Sequence, residues 1–269
     1  MADILLDELA PQVARITLNR PQALNGLISS MYPELLSILD KLARDPKVRV
    51  VVLTGAGRGF CSGHDGSVPS PAPWAPEDGE VGKPHRTHYF MRLLNSIGPT
   101  LRNMPQPVIA AVNGPCAGMG YTMALSCDMI VAAKSAKFVN AFHNAGTGSE
   151  GGFSYLLPRA VGMQRAAELM LCGRAVMADE AERIGLILRA VPDDQLMAEC
   201  LKIANEMIQC APLDLWLTKQ SMYANQHAGS LEQAALFDLR AISTVAPTED
   251  YAEKRVARAE RRAPKFKSK

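Results

Sequence analysis

A stretch from Pro105 to Gly152 combines a device for holding negative charge with a Gly-rich loop that carries one acid. A buried-strand run, Val108 to Val112, breaks at Asn-Gly-Pro, and a small-residue turn, Ala117 to Gly120, then opens onto an apolar helix. Strand, tight turn and helix N-terminus together direct backbone N–H groups at one point, where they stabilise a developing anion. A Gly-rich loop carrying one acid, Glu150, follows further along the chain.

Two interpretations of Glu150 are open on its spacing alone. As a first-turn acid after an N-cap at Ser149, it would complement a helix dipole, an effect of ~0.3–1 kcal/mol. As a functional group, it would be a general acid or base or a nucleophilic carboxylate. His143, on the segment before it, is either a structural imidazole or an assisting proton carrier.

A second glycine loop, GAGRGFCSGHDG at residues 55–66, follows a continuous β-branched run that predicts a fully buried strand. Its glycines are spaced GxGxG instead of GxGxxG, and no helix pattern comes after them, so a dinucleotide-binding turn is not indicated. The loop is either a tight turn only or a second source of a backbone donor, the N–H of His64.

Several other reaction classes are not supported by the spacing of their residues. The segment Thr147 to Gly151 fails the GxSxG pattern of a serine hydrolase at its first glycine. No glycine run leads into a Lys-Ser/Thr pair, and the five histidines form no HExxH motif, so neither a phosphate loop nor a zinc site is predicted. Acid–base and oxyanion chemistry remain.

Composition bounds the class of protein. A chain of 269 residues with 21% charged and 48% hydrophobic residues suits a globular protein with a substantial core. The net charge of +2 and the lack of a nucleic-acid-binding motif do not indicate a nucleic-acid-binding protein. No apolar run reaches the ~20 residues of a membrane span. Six cysteines without metal spacing, and an acidic N-terminal segment unlike a signal peptide, favour a cytoplasmic protein.

Hydrophobic periodicity predicts strands early and helices late. Strands are expected over residues 3–8, 13–18, 48–53 and 108–112, and helices over 30–44 and 85–103, with an irregular Pro-rich loop over 66–84. Helices at 153–159, 163–171 and 178–184, a strand at 186–191, a helix at 195–210 and three further helices complete the chain. The early β-β-α rhythm predicts a coiled architecture of the α/β class instead of a doubly wound sheet.

The motifs taken together closely resemble the crotonase superfamily, the enoyl-CoA hydratase/isomerase family. The resemblance covers nearly the whole chain and is carried by several collinear segments: NRPQALNGL (19–27), VVVLTGAGRGFCSGHD (50–65), PVIAAVNGPCAGMGYTMALSCDMIVAAKSAKF (107–138), LPRAVGMQRAAELMLCGR (157–174), ADEAERIGLILRAVP (178–192) and APLDLWLTKQSM (211–222).

The resemblance implies a spiral of β-β-α units over residues 1–200, with the acyl-CoA site, and a C-terminal helical trimerisation region over 201–269. It also implies an acyl-CoA substrate whose thioester oxygen lies between the backbone N–H groups of His64 and Met119. Family members usually have glycine where this chain has Met119. Because the donor is a backbone group, the methionine need not destroy the oxyanion hole, although its side chain narrows the predicted site.

Two departures from the family pattern bear on the reaction. The two glutamates that hold a water in the hydratases correspond to Thr122 and Phe142 here, so ordinary hydration is not expected. Glu150 falls where the similar dienoyl-CoA isomerases and chlorobenzoyl-CoA dehalogenases carry a working aspartate. His143 matches a histidine of the similar diketone hydrolases.

The C-terminal tail and the assembly complete the expectations. Residues 251–269 hold eight Lys/Arg and two Glu. Such a tail is either solvated or, as the resemblance implies, places Lys265, Phe266 and Lys267 around the CoA nucleotide, often of a neighbouring subunit. The expected assembly is a homotrimer or a dimer of trimers, without nucleic-acid or membrane partners and without a cofactor beyond the coenzyme A of the substrate.

The predicted function is isomerisation, or a modified hydratase or hydrolase step, on an acyl-CoA through the oxyanion hole and the relocated carboxylate Glu150. Two alternatives stay open. Loss of both usual glutamates also fits a catalytically silent acyl-CoA-binding homologue, and a rebuilt site would fit an ordinary enoyl-CoA hydratase.

Overall fold

A six-stranded sheet forms the framework of this computed structural model, which describes residues 2–68 and 82–269. Most of the irregular loop expected at 66–84 lies outside the described residues, namely positions 69–81. The strands of the described part are β1 (Ile4–Ala10), β2 (Val13–Leu18), β3 (Val50–Gly55), β4 (Val108–Val112), β5 (Pro115–Ala117), β6 (Met129–Ala133), β7 (Lys137–Val139), β8 (Val176–Met177) and β9 (Arg189–Val191).

Helices occupy most of the second half of the chain. In the described part they are α1 (Met31–Ala43), α2 (Lys83–Asn103), α3 (Met119–Ser126), α4 (Ala141–Ala145), α5 (Phe153–Val161), α6 (Met163–Leu171), α7 (Ala178–Arg183), α8 (Leu196–Ile208), α9 (Pro212–Asn225), α10 (Leu231–Val245) and α11 (Glu249–Ala259). None of these helices is long and apolar enough to cross a membrane.

The order of the strands is that of a spiral. The large sheet runs β1-β2-β3-β4-β6-β9, and every pair after the antiparallel β1–β2 hairpin is parallel. A small sheet, β5-β7-β8, takes alternate strands, and isolated bridges from Leu27 to His64 and from Cys61 to Cys116 continue it. Successive turns of the chain thus add a strand to each layer, which confirms the predicted spiral of β-β-α units.

Both faces of the large sheet are buried, as its parallel strands require. Along β3, Val51 and Leu53 face the main core with α1, α2 and α3, whereas Val50 and Val52 face a second core closed by α8. This double coverage explains the unbroken apolar run in the sequence. Because the parallel strands all point the same way, the loops that leave their carboxyl ends meet at one edge of the sheet.

Several short elements were absent from the sequence prediction. β5, β8 and α4 have five residues or fewer, too short for hydrophobic periodicity to register. β9 covers only Arg189–Val191 of the strand expected at 186–191, and α2 begins at Lys83, two residues early.

Candidate active site

The loop that carries His64 is braced by the first motif of the chain. Asn25 donates from its side-chain amide to the carbonyl of Gly59 (2.7 Å) and to that of Ala56 (2.9 Å). Leu27 N–H donates to the Gly63 carbonyl at 2.8 Å, and Asp65 N–H donates to the Leu27 carbonyl at 2.8 Å. These bonds occupy one side of the loop and leave the N–H of His64 directed to the other side.

Asp65 contributes to the same brace. Its carboxylate accepts from the Arg20 guanidinium at 3.0 Å and from the Ser67 hydroxyl at 2.6 Å. The Ser67 hydroxyl bond and the Arg20 bond lower the pKa of Asp65. Asp65 therefore stabilises the turn that carries His64.

Two glycines allow the predicted donor strands to approach each other. Gly63 and Gly118 both have positive φ, at 101° and 51°. A Cβ added at Gly63 would lie 3.4 Å from the backbone nitrogen of Met119. Gly63, which precedes His64, therefore packs closely against the start of α3. Among the described residues, no acceptor is bonded to the backbone N–H of His64 or of Met119. The two predicted oxyanion donors thus lie side by side with their hydrogens available.

Met119 is the first residue of α3, whose eight residues are all buried. A first-turn N–H has no partner within its own helix, and the helix dipole adds positive potential at this end. The Met119 side chain turns toward the Glu150 loop, because a Cβ at Gly151 would lie 3.1 Å from its sulfur. The methionine thus packs beneath that loop.

Glu150 lies in the loop between α4 and α5, three residues before α5 begins at Phe153. The N-cap of α5 is Gly152, and its first turn contains no acid. The interpretation of Glu150 as a first-turn acid capped by Ser149 is therefore wrong. The loop is instead pressed against α3: the Thr122 hydroxyl donates to the Glu150 carbonyl at 3.2 Å.

The carboxylate of Glu150 is partly buried without a compensating charge. Burial raises its pKa above the ordinary glutamate value, and no cation of the described residues opposes that shift. No hydrogen bond from the described residues reaches its carboxylate oxygens either. A carboxyl with a raised pKa and free lone pairs is suited to accept and return a proton.

Thr122 and Phe142, the two residues that the resemblance assigns to the places of the family glutamates, are both buried. Thr122 has no exposed surface and Phe142 is 6% exposed. The Phe142 ring meets the Phe153 ring nearly edge-on, with centroids 5.5 Å apart, and reaches the Gly118 turn. Phe142 is thus held by aromatic packing.

His143 lies in α4 and is exposed. Its ring packs against the backbone of Gly173, since a Cβ there would overlap the imidazole at 2.3 Å. Among the described residues, no hydrogen bond or ring contact joins His143 to Glu150. Its assisting role therefore stays a prediction.

The predicted CoA-binding tail folds back on its own chain. The Phe266 ring lies 5.6 Å from the guanidinium of Arg49, and Lys267 N–H donates to the Asp250 carboxylate at 2.7 Å. Lys265 N–H donates to Glu253 at 2.7 Å. Arg49 precedes β3, so the tail lies at the amino edge of the sheet, about 20 Å from the His64 loop at ~3.3 Å per strand residue. The tail of this chain thus lies away from its own His64 loop.

Two contacts near the site, one made by Tyr32 and one by Asn95, were not predicted from the sequence. The Tyr32 hydroxyl lies 3.2 Å from Nδ1 of His64, and Phe90 packs against both rings. Asn95 on α2 accepts the N–H of Gly151 at 2.7 Å. Partners 32 and 56 positions apart leave no periodic signal, and only the fold reveals them.

The electrostatics of this cluster favour neutral rings around the carboxylate. Burial lowers the pKa of His64, and burial followed by the charges of Cys61 and Glu150 raises the pKa of Tyr32. The described residues contain no cluster of His, Cys, Asp or Glu with the geometry of a metal site.

Comparison with known proteins places this chain in a family. The sequence pattern of the enoyl-CoA hydratase/isomerase family matches residues 8–269. The chain therefore belongs to that family, as its motifs predicted. A probable enoyl-CoA hydratase of Mycobacterium bovis is 44% identical over 265 residues, covering 98% of this chain and 92% of that protein.

Two further relatives bear on fold and chemistry. The crystal structure of a probable enoyl-CoA hydratase/isomerase from Mycobacterium abscessus superposes with a TM-score of 0.92 at 39% identity, covering 100% of both chains. The 1,2-epoxyphenylacetyl-CoA isomerase of Escherichia coli is 36% identical over 222 residues, covering 82% of each chain. The first confirms the fold class, and the two names cover hydratase and isomerase chemistry.

Proposed function

We propose that this protein is an acyl-CoA isomerase that moves a carbon–carbon double bond with Glu150 as its one proton carrier. The observation that carries the proposal is the single carboxylate of the described site. The Glu150 loop packs on the Met119 side chain, and the family resemblance assigns the buried Thr122 and Phe142 to the places of both glutamates. The isomerase name of the Escherichia coli relative supports the same direction.

The proposed reaction is a 1,3-proton shift. The N–H groups of His64 and Met119 bind the thioester oxygen, and Glu150 removes a proton from C2 of a 3-enoyl-CoA. The electrons of that C–H bond move onto the thioester as a dienolate, whose oxygen charge the two N–H groups stabilise. The protonated Glu150 then delivers the same proton to C4, which leaves the double bond between C2 and C3 and restores the carboxylate.

A single carboxylate is sufficient for this reaction and insufficient for hydration. The shift consumes no water, and the base of the first half is the acid of the second. Hydration needs a water that is oriented and deprotonated while a second proton is supplied. A threonine hydroxyl that bonds a backbone carbonyl and a buried phenyl ring supply neither function.

Assembly and the CoA nucleotide belong to the same proposal. α10 presents large apolar side chains to the surface, among them Leu231, Leu236, Leu239 and Ile242. Burial of such a face in a homotrimer, or a dimer of trimers, would bring Lys265, Phe266 and Lys267 of one subunit within reach of another's site. Light scattering that gives a monomer mass in the presence of acyl-CoA would contradict this arrangement.

The test is a panel of 3-enoyl-CoA and 2-enoyl-CoA thioesters with straight and aryl-bearing chains. We expect conversion of 3-enoyl to 2-enoyl thioester without a 3-hydroxyacyl product. Glu150→Gln should abolish the conversion, whereas the control Glu206→Gln, on the exposed face of α8, should leave it intact. Hydration as the main reaction would overturn the proposal, and tight binding without turnover across the panel would identify a silent binder.

A further inference from the structure

One peptide unit next to Glu150 is held at both of its polar ends. The Glu150 carbonyl accepts the Thr122 hydroxyl of α3 at 3.2 Å, and the Gly151 N–H of the same unit donates to the Asn95 side chain of α2 at 2.7 Å. Asn95 is itself fixed, because its amide nitrogen donates to the Met91 carbonyl at 2.6 Å. Two helices thus grip opposite sides of one peptide plane.

Close packing leaves this peptide little room to turn. Gly151 has a φ of 66°, and a Cβ there would lie 2.7 Å from Cγ2 of Thr122. From the other side, a Cβ at Gly98 of α2 would lie 3.2 Å from the Gly151 carbonyl oxygen. The backbone of the loop is therefore fitted between α2 and α3 without a side chain at either glycine.

We propose that Asn95 and Thr122 are positioning residues that set the direction of the Glu150 carboxylate, an inference that rests on the proposed function. The rotation of a peptide plane determines where the adjoining side chain begins. No bond from the described residues holds the carboxylate itself, so its direction follows from its backbone. Thr122, at the place of a family glutamate, then serves the relocated acid by holding its main chain.

Positioning of this kind acts on the rate and leaves thioester binding unchanged. A proton carrier displaced by about 1 Å loses on the order of 100-fold in rate. The bonds of Asn95 do not touch the hole formed by His64 and Met119. The Thr122 hydroxyl also lies 3.4 Å from the Gly118 carbonyl, whose peptide unit carries the Met119 N–H, but that carbonyl keeps its bond from the Thr122 N–H (3.0 Å) when the hydroxyl is removed. Loss of the clamp is therefore expected in kcat, with KM nearly constant.

The experiment uses four variants of the full-length protein in the isomerase assay. Thr122→Val and Asn95→Leu each remove one of the two side-chain bonds to the peptide unit and should lower kcat roughly 10- to 100-fold, with KM changed less than about threefold. Thr122→Ser and Asn95→Asp keep a donor or an acceptor and should recover most of the rate. Thr100→Val, which removes a similar hydroxyl bond within α2, is the matched control and should behave as wild type.

A second readout separates the clamp from the catalytic role of Glu150. Hydrogen exchange at the Gly151 amide should be faster in Asn95→Leu than in wild type and unchanged in Thr100→Val. Wild-type kcat in both removal variants, with Glu150→Gln inactive, would overturn the clamp alone. Full activity of Glu150→Gln would overturn both the clamp and the proposed function. Failure of Thr122→Ser to exceed Thr122→Val would also contradict the clamp.

Discussion

Two carboxylates at opposite edges of the sheet differ in how many hydrogen bonds and ion pairs they make. Asp128, at the amino edge before β6, is saturated: Lys219 lies 2.8 Å from it, Tyr223 donates at 2.8 Å and the Val108 N–H at 2.7 Å. Glu150, near the carboxyl edge, has neither a cation nor a donor on its carboxylate among the described residues. One acid is fully engaged in structure, and the other is left available.

The difference shows how one chain separates stability from reactivity. The Asp128–Lys219 pair is almost wholly buried, with side chains 8% and 4% exposed, and it attaches α9 to the core. Burial lowers the pKa of Lys219, and the Asp128 charge partly offsets this shift. An acid engaged in this way cannot exchange protons with a substrate. The Glu150 carboxylate is partly buried without a cation or a hydrogen-bond donor among the described residues, which is the arrangement that a proton carrier needs.

The sharpest test of the comparison is Glu150→Gln in the isomerase assay. We expect kcat/KM to fall roughly 10²- to 10⁴-fold, since an amide cannot carry the proton. Binding of a saturated acyl-CoA, measured by calorimetry, should remain within a few-fold of wild type because the N–H donors are untouched. Equal losses of binding and turnover would indicate a disrupted fold instead.

The opposite outcome is expected at the amino edge for Lys219→Met. Removing one partner leaves the buried Asp128 charge uncompensated, and the free energy of unfolding should fall by about 3–5 kcal/mol. Denaturant titration measures this loss, and turnover well below the melting temperature should survive. Lys202→Met, on the exposed surface of α8, is the control. A loss under ~1 kcal/mol would show that the pair is not the anchor of α9.

A smaller effect is predicted for Gly151→Ala. The positive φ disfavours any L side chain by about 1–2 kcal/mol, and the new methyl group would meet Thr122 and Met119. Turnover should fall along with thermal stability. Gly148→Ala in the same loop is the control, because a Cβ there has nothing within 4 Å. Similar behaviour of the two alanines would mean that the loop is not fitted against α3.

The smallest expected effect is in the pH dependence. Because burial raises the pKa of Glu150, the ionised base should be lost on acidification at a higher pH than for an ordinary glutamate. The kcat/KM profile should therefore rise with pH through that raised pKa. The sign for stability is the reverse: ionisation is disfavoured in the folded state, so Glu150→Gln should be slightly more stable above that pKa. A profile that rises at the ordinary glutamate pKa would contradict this environment.

The sequence predicted the buried strands and the glycine turns and missed the contacts between residues that are distant in the chain. Strand runs such as Val108–Val112 and the glycine turns before His64 and Met119 were correctly placed, because burial on both faces and positive φ leave strong patterns. The expectation that Thr122 and Phe142 replace a hydratase pair came from the family resemblance and stays a prediction. Asn95 and Tyr32 were missed because a side chain that bonds a distant residue has no spacing rule.

The tail shows a different limit. Lys265 to Lys267 were assigned to the CoA nucleotide by resemblance, yet in this chain they dock at Arg49, Asp250 and Glu253. A linear sequence does not say which copy of the chain a terminal segment serves. The ion pair of Lys219 and Asp128 at the amino edge was also not predicted. Its two residues are far apart in the chain, so no spacing pattern connects them.

The oxyanion hole proposed between Gly63 and Gly118 has a consequence for how such proteins diversify. Its proposed donors are main-chain groups, so the side chains at 64 and 119 are not needed to bind the anion. Here they are an imidazole bonded to Tyr32 and a thioether beneath the Glu150 loop. Substitutions at positions 64 and 119 should therefore change which acyl groups the protein accepts. They would alter the shape of the acyl pocket and leave the backbone donors to the thioester oxygen in place.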